Sequence, residues 1–554
     1  MIDVESATTL IERQLTKFMA EFDQEFDGLE IPTALAMIKV ADLEIMIARG
    51  DYVGIEKKSG SAYRAISKGI AVLLPRLVQH AANCSPTTEK CVLVDHLLVR
   101  SYLGVMGDLI QAQRYVDIER YGLTRCRTIA SDHIQIHHLV QDQESLEHAD
   151  RNALLDAEHD QRDEIRKKIA AMVRSEHQAH VARGFPCSQT DLDAFAKLGR
   201  RYLEFYLNEY PEAEAFADES FVGPLKFKQW KEIMINICAL GFAKSELEDA
   251  GLQLENLYYP EGFLMMRPSL ITHEELRKCF DVTGATENLP DFQELAECII
   301  LSSDNATAEY GPDGALPCLV RLGEDVYITR YGRLGNPYMF LVMRLAKVYA
   351  FQMRRLTKER EEPFQKDLQR RLSDDNYIFG EPGVKIYGAR NRPLTDIDSV
   401  IYEKATNCLY LIQLKWLAVH SANFELREKQ HNELVEKGTS WLDKVESWVN
   451  RKATAEILQH VGIDNISIDI PTLKVRYLLL NRGWTRFSGK EAFDPRAAWI
   501  SWSRLCWLML CASDRTARLD HAWREALTNL ARPTQTEPTP KIVHVAGLTV
   551  EIFN

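Results

Sequence analysis

The 554-residue chain has no run of about 18 or more apolar residues, so it offers no segment for crossing a membrane as a helix. Its densest apolar stretch, residues 497–512, is interrupted by Arg504 and two serines. The eleven cysteines are scattered and include no Cys-x-x-Cys pair. That pattern argues against a disulfide framework and a zinc ribbon, and suits a reducing, cytoplasmic setting. No Gly-Lys-Ser/Thr follows the glycines at 311–314 or 332–335, so there is no nucleotide-hydrolase phosphate loop. His-Glu-x-x-His is also missing. His133 and His137, spaced i, i+4 beside Asp132 and His138, read as neighbours on a solvated helix face and not as a metal site. The acidic opening, Met1-Ile-Asp-Val-Glu-Ser6, does not read as a signal peptide. No period of 20–50 residues marks a solenoid.

What is present is uneven in charge. The formal net charge is −13. Residues 341–554 carry 32 basic and 26 acidic side chains, a net of +6, whereas residues 1–340 carry 35 and 54, a net of −19. Charge asymmetry between halves points weakly to a polyanion partner for the basic half.

The texture divides the same way. Residues 1–310 read as an acidic helical region suited to regulation, sensing or assembly, through a partner protein or a second copy. Apolar residues recur at helical spacing in 34–48, 62–82 (with a kink at Pro75), 96–115, 191–209 and 226–240. Residues 142–180 read as one long solvated helix or helical hairpin. Residues 311–345 read as a small hairpin, turning at Gly323-Glu-Asp325, and a connector broken at Asn336-Pro337. From there the order becomes strands and helices in alternation, which predicts a mixed sheet covered by helices. Within it, 384–387, 408–416 and 474–481 are expected strands. Residues 424–449, 497–511 and 519–530 are expected helices, and 541–553 a final strand, or a hairpin with Gly547 at its bend.

The chemistry concentrates in one hairpin, Thr395-Asp-Ile-Asp-Ser-Val-Ile-Tyr402 and Cys408-Leu-Tyr-Leu-Ile-Gln-Leu-Lys-Trp416. Alternation places Asp396 and Asp398 on one face of the first arm, and Gln413 and Lys415 on one face of the second. The second arm is apolar on both faces until its end, as a central strand would be. A turn centred between Ala405 and Thr406 sets Asp398 opposite Gln413 and Asp396 opposite Lys415. Opposed Cβ atoms lie roughly 4.5–5.5 Å apart, close enough for a carboxylate and an amide oxygen to share one hard cation. A lysine beside them would serve a phosphate or the attacking water.

At these residues the chain resembles the PD-(D/E)XK nuclease superfamily, and within it the Gln-x-Lys branch of Mrr-type restriction enzymes. Asp398, Gln413 and Lys415 match that pattern. The resemblance implies a multidomain α/β protein: a mostly α-helical N-terminal region, then a restriction-endonuclease-like domain with a mixed central sheet. The nuclease-like core would span 346–485, with residues 486–554 completing that domain. It further implies a Mg²⁺- or Mn²⁺-dependent endonuclease acting on nucleic acid, chiefly DNA, with antiviral or foreign-DNA defence as the setting. Asp398 and Gln413 would hold metal, with Asp396 beside them. The pattern also expects a glutamate on the preceding helix, where this chain has Gln365. Glu361, Glu362 and Glu381 are the substitutes within reach in sequence. Lys429 and Gln430 on the next helix, and Arg482, Trp484 and Arg486 after the next strand, are candidates for gripping phosphate or stacking on bases. The competing expectation is a nuclease-like domain of impaired chemistry that binds nucleic acid or protein on a helical scaffold.

Overall fold

The computed structural model describes residues 6–49, 61–81, 96–139, 189–207, 210–254, 269–281, 292–306, 316–334, 336–388, 392–417, 424–463, 469–486, 492–528 and 541–553, with isolated positions between 149 and 182. The expected long helix at 142–180 and the linker at 533–540 fall wholly or largely outside them.

The N-terminal half is built on helices α1 (Ala7–Phe26), α2 (Glu30–Arg49), α3 (Ser61–Ala81) and α4 (His96–Asp117). Ser6 starts α1 by accepting the Thr9 N–H at 3.2 Å. A first apolar core joins the four, around Leu10, Phe22, Ile38, Leu73, Leu103 and Leu109. Strands β1 (Thr124–Ala130) and β2 (His133–His138) follow, as an antiparallel pair. This corrects the helical reading of 133–138. His133, Gln135 and His137 alternate with buried Ile134 and Ile136, which is a strand period. Helices α5 (Gln189–Leu207) and α6 (Phe227–Leu254) carry a second core around Trp230, Ile233, Phe216 and Tyr338.

The expected small hairpin forms as β3 (Leu319–Leu322) and β4 (Asp325–Ile328), with Gly323 at φ 62° supplying the left-handed turn. It joins a four-stranded sheet with Ser269–Leu270 and Ile300–Leu301. Helix α7 (Pro337–Val348) opens with Pro337 in its first turn, and the Asn336 side chain accepts the Met339 N–H at 3.2 Å. The second core ends at Leu356, and a third gathers Phe364 and residues beyond it together with Leu154.

Beyond that point helix α8 (Glu361–Arg371) leads into a five-stranded mixed sheet. Its strands are β5 (Tyr377–Phe379), β8 (Ser399–Glu403), β9 (Cys408–Lys415), β10 (Lys474–Asn481) and β11 (Ala497–Ser501), adjacent in that order. Strands β5, β8 and β9 are antiparallel, whereas β9, β10 and β11 are parallel. A separate pair, β6 (Val384–Tyr387) and β7 (Pro393–Ile397), sits between β5 and β8 in the chain. One face of the large sheet packs on α8, α11 (Trp502–Cys511) and α12 (Arg518–Thr528). The other packs on α9 (Phe424–Val449), through Leu434, Trp441, Leu442, Val445 and Trp448, and on α10 (Thr454–His460). Each fully buried large apolar side chain here stabilises the fold by about 1.5–3 kcal/mol.

Two expectations fail here. Residues 497–501 are strand β11 and not the start of a helix; the apolar run covers a buried edge of the sheet and then turns into α11. The tail at 541–553 does not complete the C-terminal domain. It forms the hairpin β12 (Lys541–Val545) and β13 (Leu548–Phe553), bent at Gly547 as expected, but β13 pairs in parallel with β2. The first sheet is therefore β1-β2-β13-β12, made from both halves of the chain. Among the described residues, no helix is long and apolar enough to cross a membrane.

Candidate functional site

The expected register holds over most of the central hairpin. Ser399 pairs with Ile412, Val400 with Leu411 and Tyr402 with Leu409. Asn407, at φ 49°, closes the turn. Asp398 thus comes to face Gln413. Its Oδ2 accepts from Gln413 Nε2, and from the Leu414 N–H at 2.7 Å. Asp398 Oδ1 and Gln413 Oε1 accept no hydrogen bond from any described residue.

The first arm does not run straight. It bends at Asp398, which belongs to neither β7 nor β8. The Asp398 carbonyl accepts from the Gly383 N–H at 3.2 Å and from Gln365 Nε2 at 3.0 Å. Strand β7 is drawn off onto β6, so Asp396 pairs with Lys385. The expected pairing of Asp396 with Lys415 is corrected accordingly. Asp396 is exposed, its carbonyl accepts from Trp441 Nε1 at 2.8 Å, and its carboxylate stays within electrostatic reach of Asp398.

Asp398 is only 9% exposed. Burial pushes its carboxyl up to about 7. The Lys415 charge and the Leu414 N–H act to lower it, and Glu361 and Asp396 act to raise it further. Those influences locate the surrounding groups. Lys415 is half-buried at the end of β9, and makes no ion pair or hydrogen bond with a described residue. Glu361 is exposed at the first turn of α8, equally unpaired.

The other candidates separate cleanly. Glu362 lies one residue from Glu361 but points elsewhere, pairing with Lys366 at 2.6 Å. Glu381 is exposed and packs against Gly462, with its N–H bonded to the Val461 carbonyl at 3.0 Å. On α9, Lys429 is exposed and Gln430 half-buried, and no contact ties either to Asp398. Arg482 is corrected outright. Its side chain is 10% exposed, held by Asp367 and by Glu214 at 3.1 Å, and it lies over the rings of Phe364, Trp416 and Trp502. It is an internal strut between the helical half and the sheet, closed to nucleic acid. Trp484 has Arg427 over its ring at 5.5 Å, and Arg486 is half-buried and engaged within the chain. His133 and His137 are spent on the sheet: His133 faces Glu551 at 3.3 Å, and His137 stacks on Phe553.

The role of Gln365 was not legible from its residue type. Gln365 buttresses the Asp398 backbone, while Glu361, one turn earlier, lies within electrostatic reach of the Asp398 carboxyl. The i, i+4 spacing on one helix was the available signal. The Leu414 N–H, a backbone donor, carries no residue signal at all.

The donor set is oxygen-rich and sparse. Among the described residues, no group of three His, Cys, Asp or Glu side chains could hold a metal ion. One buried carboxylate with a free oxygen, one amide oxygen and two exposed acids nearby still suit a hard cation that keeps several waters, as Mg²⁺ does. They do not suit zinc, which takes nitrogen and sulfur ligands. No family model, curated protein or solved structure matches this chain.

Proposed function

We propose that the chain is a metal-dependent nuclease of the PD-(D/E)XK kind, hydrolysing phosphodiester bonds in nucleic acid, DNA first among them. One observation carries the reading. Asp398, Gln413 and Lys415 come together at the C-terminal end of the central strand β9, each keeping an atom that no described residue satisfies. Asp398 and Gln413 are buried residues, yet each keeps an oxygen open beside the Lys415 ammonium, which is the arrangement a hydrated hard cation and a phosphate need. The order helix, antiparallel strands, helix, parallel strand around that central strand supports the same reading.

Asp398 Oδ1 and Gln413 Oε1 would hold Mg²⁺ or Mn²⁺, with Asp396 and Glu361 at the rim. The bound cation would offset the negative charge that develops at phosphorus during hydrolysis. The Lys415 ammonium group, which no described residue engages, would hydrogen-bond a non-bridging phosphate oxygen or orient the attacking water. Gln413 fixes the Asp398 carboxylate through Nε2. Gln365 and Gly383 fix the backbone that carries it.

A second reading rests on Gln365. An uncharged side chain at the helix position, with no three-carboxylate cluster among the described residues, fits a nuclease-like domain that binds without cutting. Supercoiled plasmid, linear duplex, single-stranded DNA and RNA, each incubated with Mg²⁺ or Mn²⁺, separate the two. The nuclease reading expects cleavage by the native chain that disappears in Asp398→Ala and Lys415→Ala. Cleavage that persists in both variants puts the chemistry elsewhere, and no cleavage of any substrate favours the binding reading.

A further inference from the structure

The composite sheet β1-β2-β13-β12 buries one face against the first helical core, through Ile134, Ile136, Val550 and Ile552. Its other face is polar and aromatic. The register places its side chains in rows across the strands. Arg125 pairs with His137, and His137 pairs with Phe553. One row along, Arg127 pairs with Gln135, and Gln135 with Glu551. Within the first row the His137 and Phe553 rings are stacked, 4.4 Å between centroids and 10° between planes.

Arg125 and Arg127 are exposed, and neither makes an ion pair or hydrogen bond with a described residue. Glu551, the acid of the second row, is already engaged by Gln135 Nε2 at 2.7 Å and by His133 at 3.3 Å. Among the described residues, two guanidinium groups without a partner therefore stand beside a stack of two rings that a further ring could extend. They do so in a half of the chain whose net charge is −19, where acidic partners are plentiful.

We propose that this sheet face binds single-stranded nucleic acid, the two arginines taking backbone phosphates and the His137–Phe553 pair stacking an unpaired base. The chemistry fits a polyanion with exposed π-faces: charge supplies salt-dependent affinity, and ring stacking tolerates any base. A duplex hides its base faces and could use only the arginines. The proposal deepens the nuclease reading by giving the substrate a second foothold, yet it rests on residues remote in sequence from Asp398 and Lys415.

The test is fluorescence anisotropy on the full chain in EDTA, with labelled dT20, rU20 and a 20-base-pair duplex as probes. Arg125→Ala/Arg127→Ala removes exposed side chains and leaves the core untouched. It should weaken dT20 binding about tenfold or more, and flatten the slope of log affinity against log salt by about 1.4, near 0.7 for each lost phosphate contact. Phe553→Leu keeps an apolar side chain, and should remove about tenfold of the preference for dT20 over duplex. A stronger response of rU20 than dT20 to the same variants would make RNA the ligand. Equal binding by the native chain and the arginine variant overturns the proposal, as does failure of the native chain to bind either single strand. Lys278→Ala, which removes an exposed lysine already paired with Glu274, is the control: it should bind as the native chain does. Loss of binding in the arginine variant without any cleavage by the native chain keeps the platform and removes the nuclease. Cleavage with unaltered binding does the reverse.

Discussion

Strand β8 is flanked by two buried carboxylates with opposite fates. Asp398 precedes it and Glu403 ends it, and burial pushes both carboxyls above the ordinary range. Glu403 is fully enclosed, and both of its oxygens are consumed. The Tyr377 hydroxyl donates at 3.1 Å, the Thr406 hydroxyl at 2.6 Å, and the Leu519 and Asp520 N–H groups at 2.9 and 3.2 Å. It caps the first turn of α12 and ties the hairpin turn to that helix. Asp398 commits one oxygen to Gln413 and Leu414, and keeps the other. Lys415 and Glu361, two of the charges that act on it, make no ion pair or hydrogen bond with a described residue either. Burial and a raised pKa are common to both ends of the strand. What distinguishes them is whether the surroundings finish the hydrogen bonding. On that criterion Glu403 belongs to the fold, and Asp398 keeps the open oxygen that the proposed chemistry requires.

The largest expected effects would break this contrast if it is wrong. Lys415→Ala should reduce cleavage by about 10²–10³ or more, the scale on which one charge-stabilising donor acts, with the melting temperature hardly changed. Glu403→Ala should do the opposite in kind. It strands several buried donors, and should destabilise the chain by about 3–5 kcal/mol, read as an earlier urea midpoint. A Glu403→Ala protein as stable as the native chain would remove the structural half of the comparison. A Lys415→Ala protein that melts early would show the lysine to be a strut.

Much of this was readable from residue types, and the failures have physical causes. The run Cys408 to Leu414, apolar on both faces, could only be a central strand, and its polar end fixed which residues would meet across the turn. The bend at Asp398 was not readable. It arises because β7 hydrogen-bonds with β6 in preference to continuing beside β9, a choice between partners that alternation cannot see. The same limit hid the tail. Strand β13 carries a plain alternating pattern, but nothing local says that it will lie beside β2. Its pairing also bears on the acidic half as a regulator, because a 341–554 fragment would lose the partner of its last strand. The misreading of 133–138 was avoidable: His-Ile-Gln-Ile-His alternates strictly, and the i, i+4 histidines only mimicked a helix face.

Proton linkage gives a medium-sized effect of definite sign. With its folded pKa raised to about 7 from an ordinary value near 4, Asp398 holds a proton in the folded chain that the unfolded chain has already lost across that window. Stability attributable to this group is therefore greatest at about pH 4 and below. It falls as pH rises, by up to about 1.4 kcal/mol per unit, and levels off above 7. Urea titrations of native and Asp398→Asn protein should converge near pH 4, and at pH 8 the variant should be the more stable. Parallel curves would mean that Asp398 is not buried as described. Cation binding requires the ionised carboxylate, so the Mg²⁺ needed for half-maximal cleavage should rise as pH drops below about 7, up to tenfold per unit.

The smallest effect is also the most discriminating, because it compares neighbours. Glu361 and Glu362 are adjacent on the first turn of α8, both exposed, yet only Glu361 acts on Asp398; Glu362 is spent on Lys366. Glu361→Gln should weaken the apparent Mg²⁺ affinity several-fold, up to about tenfold, and Asp396→Asn should do the same. Glu362→Gln and Glu381→Gln should leave it unchanged, since a surface pair such as Glu362–Lys366 is worth at most about 1 kcal/mol of stability and has no reach to the site. Cation titrations of the cleavage rate on one substrate would rank the four. If Glu362 or Glu381 outranks Glu361, α8 presents a different turn to the substrate, and Gln365 buttresses a site whose acids have been assigned to the wrong side of the helix.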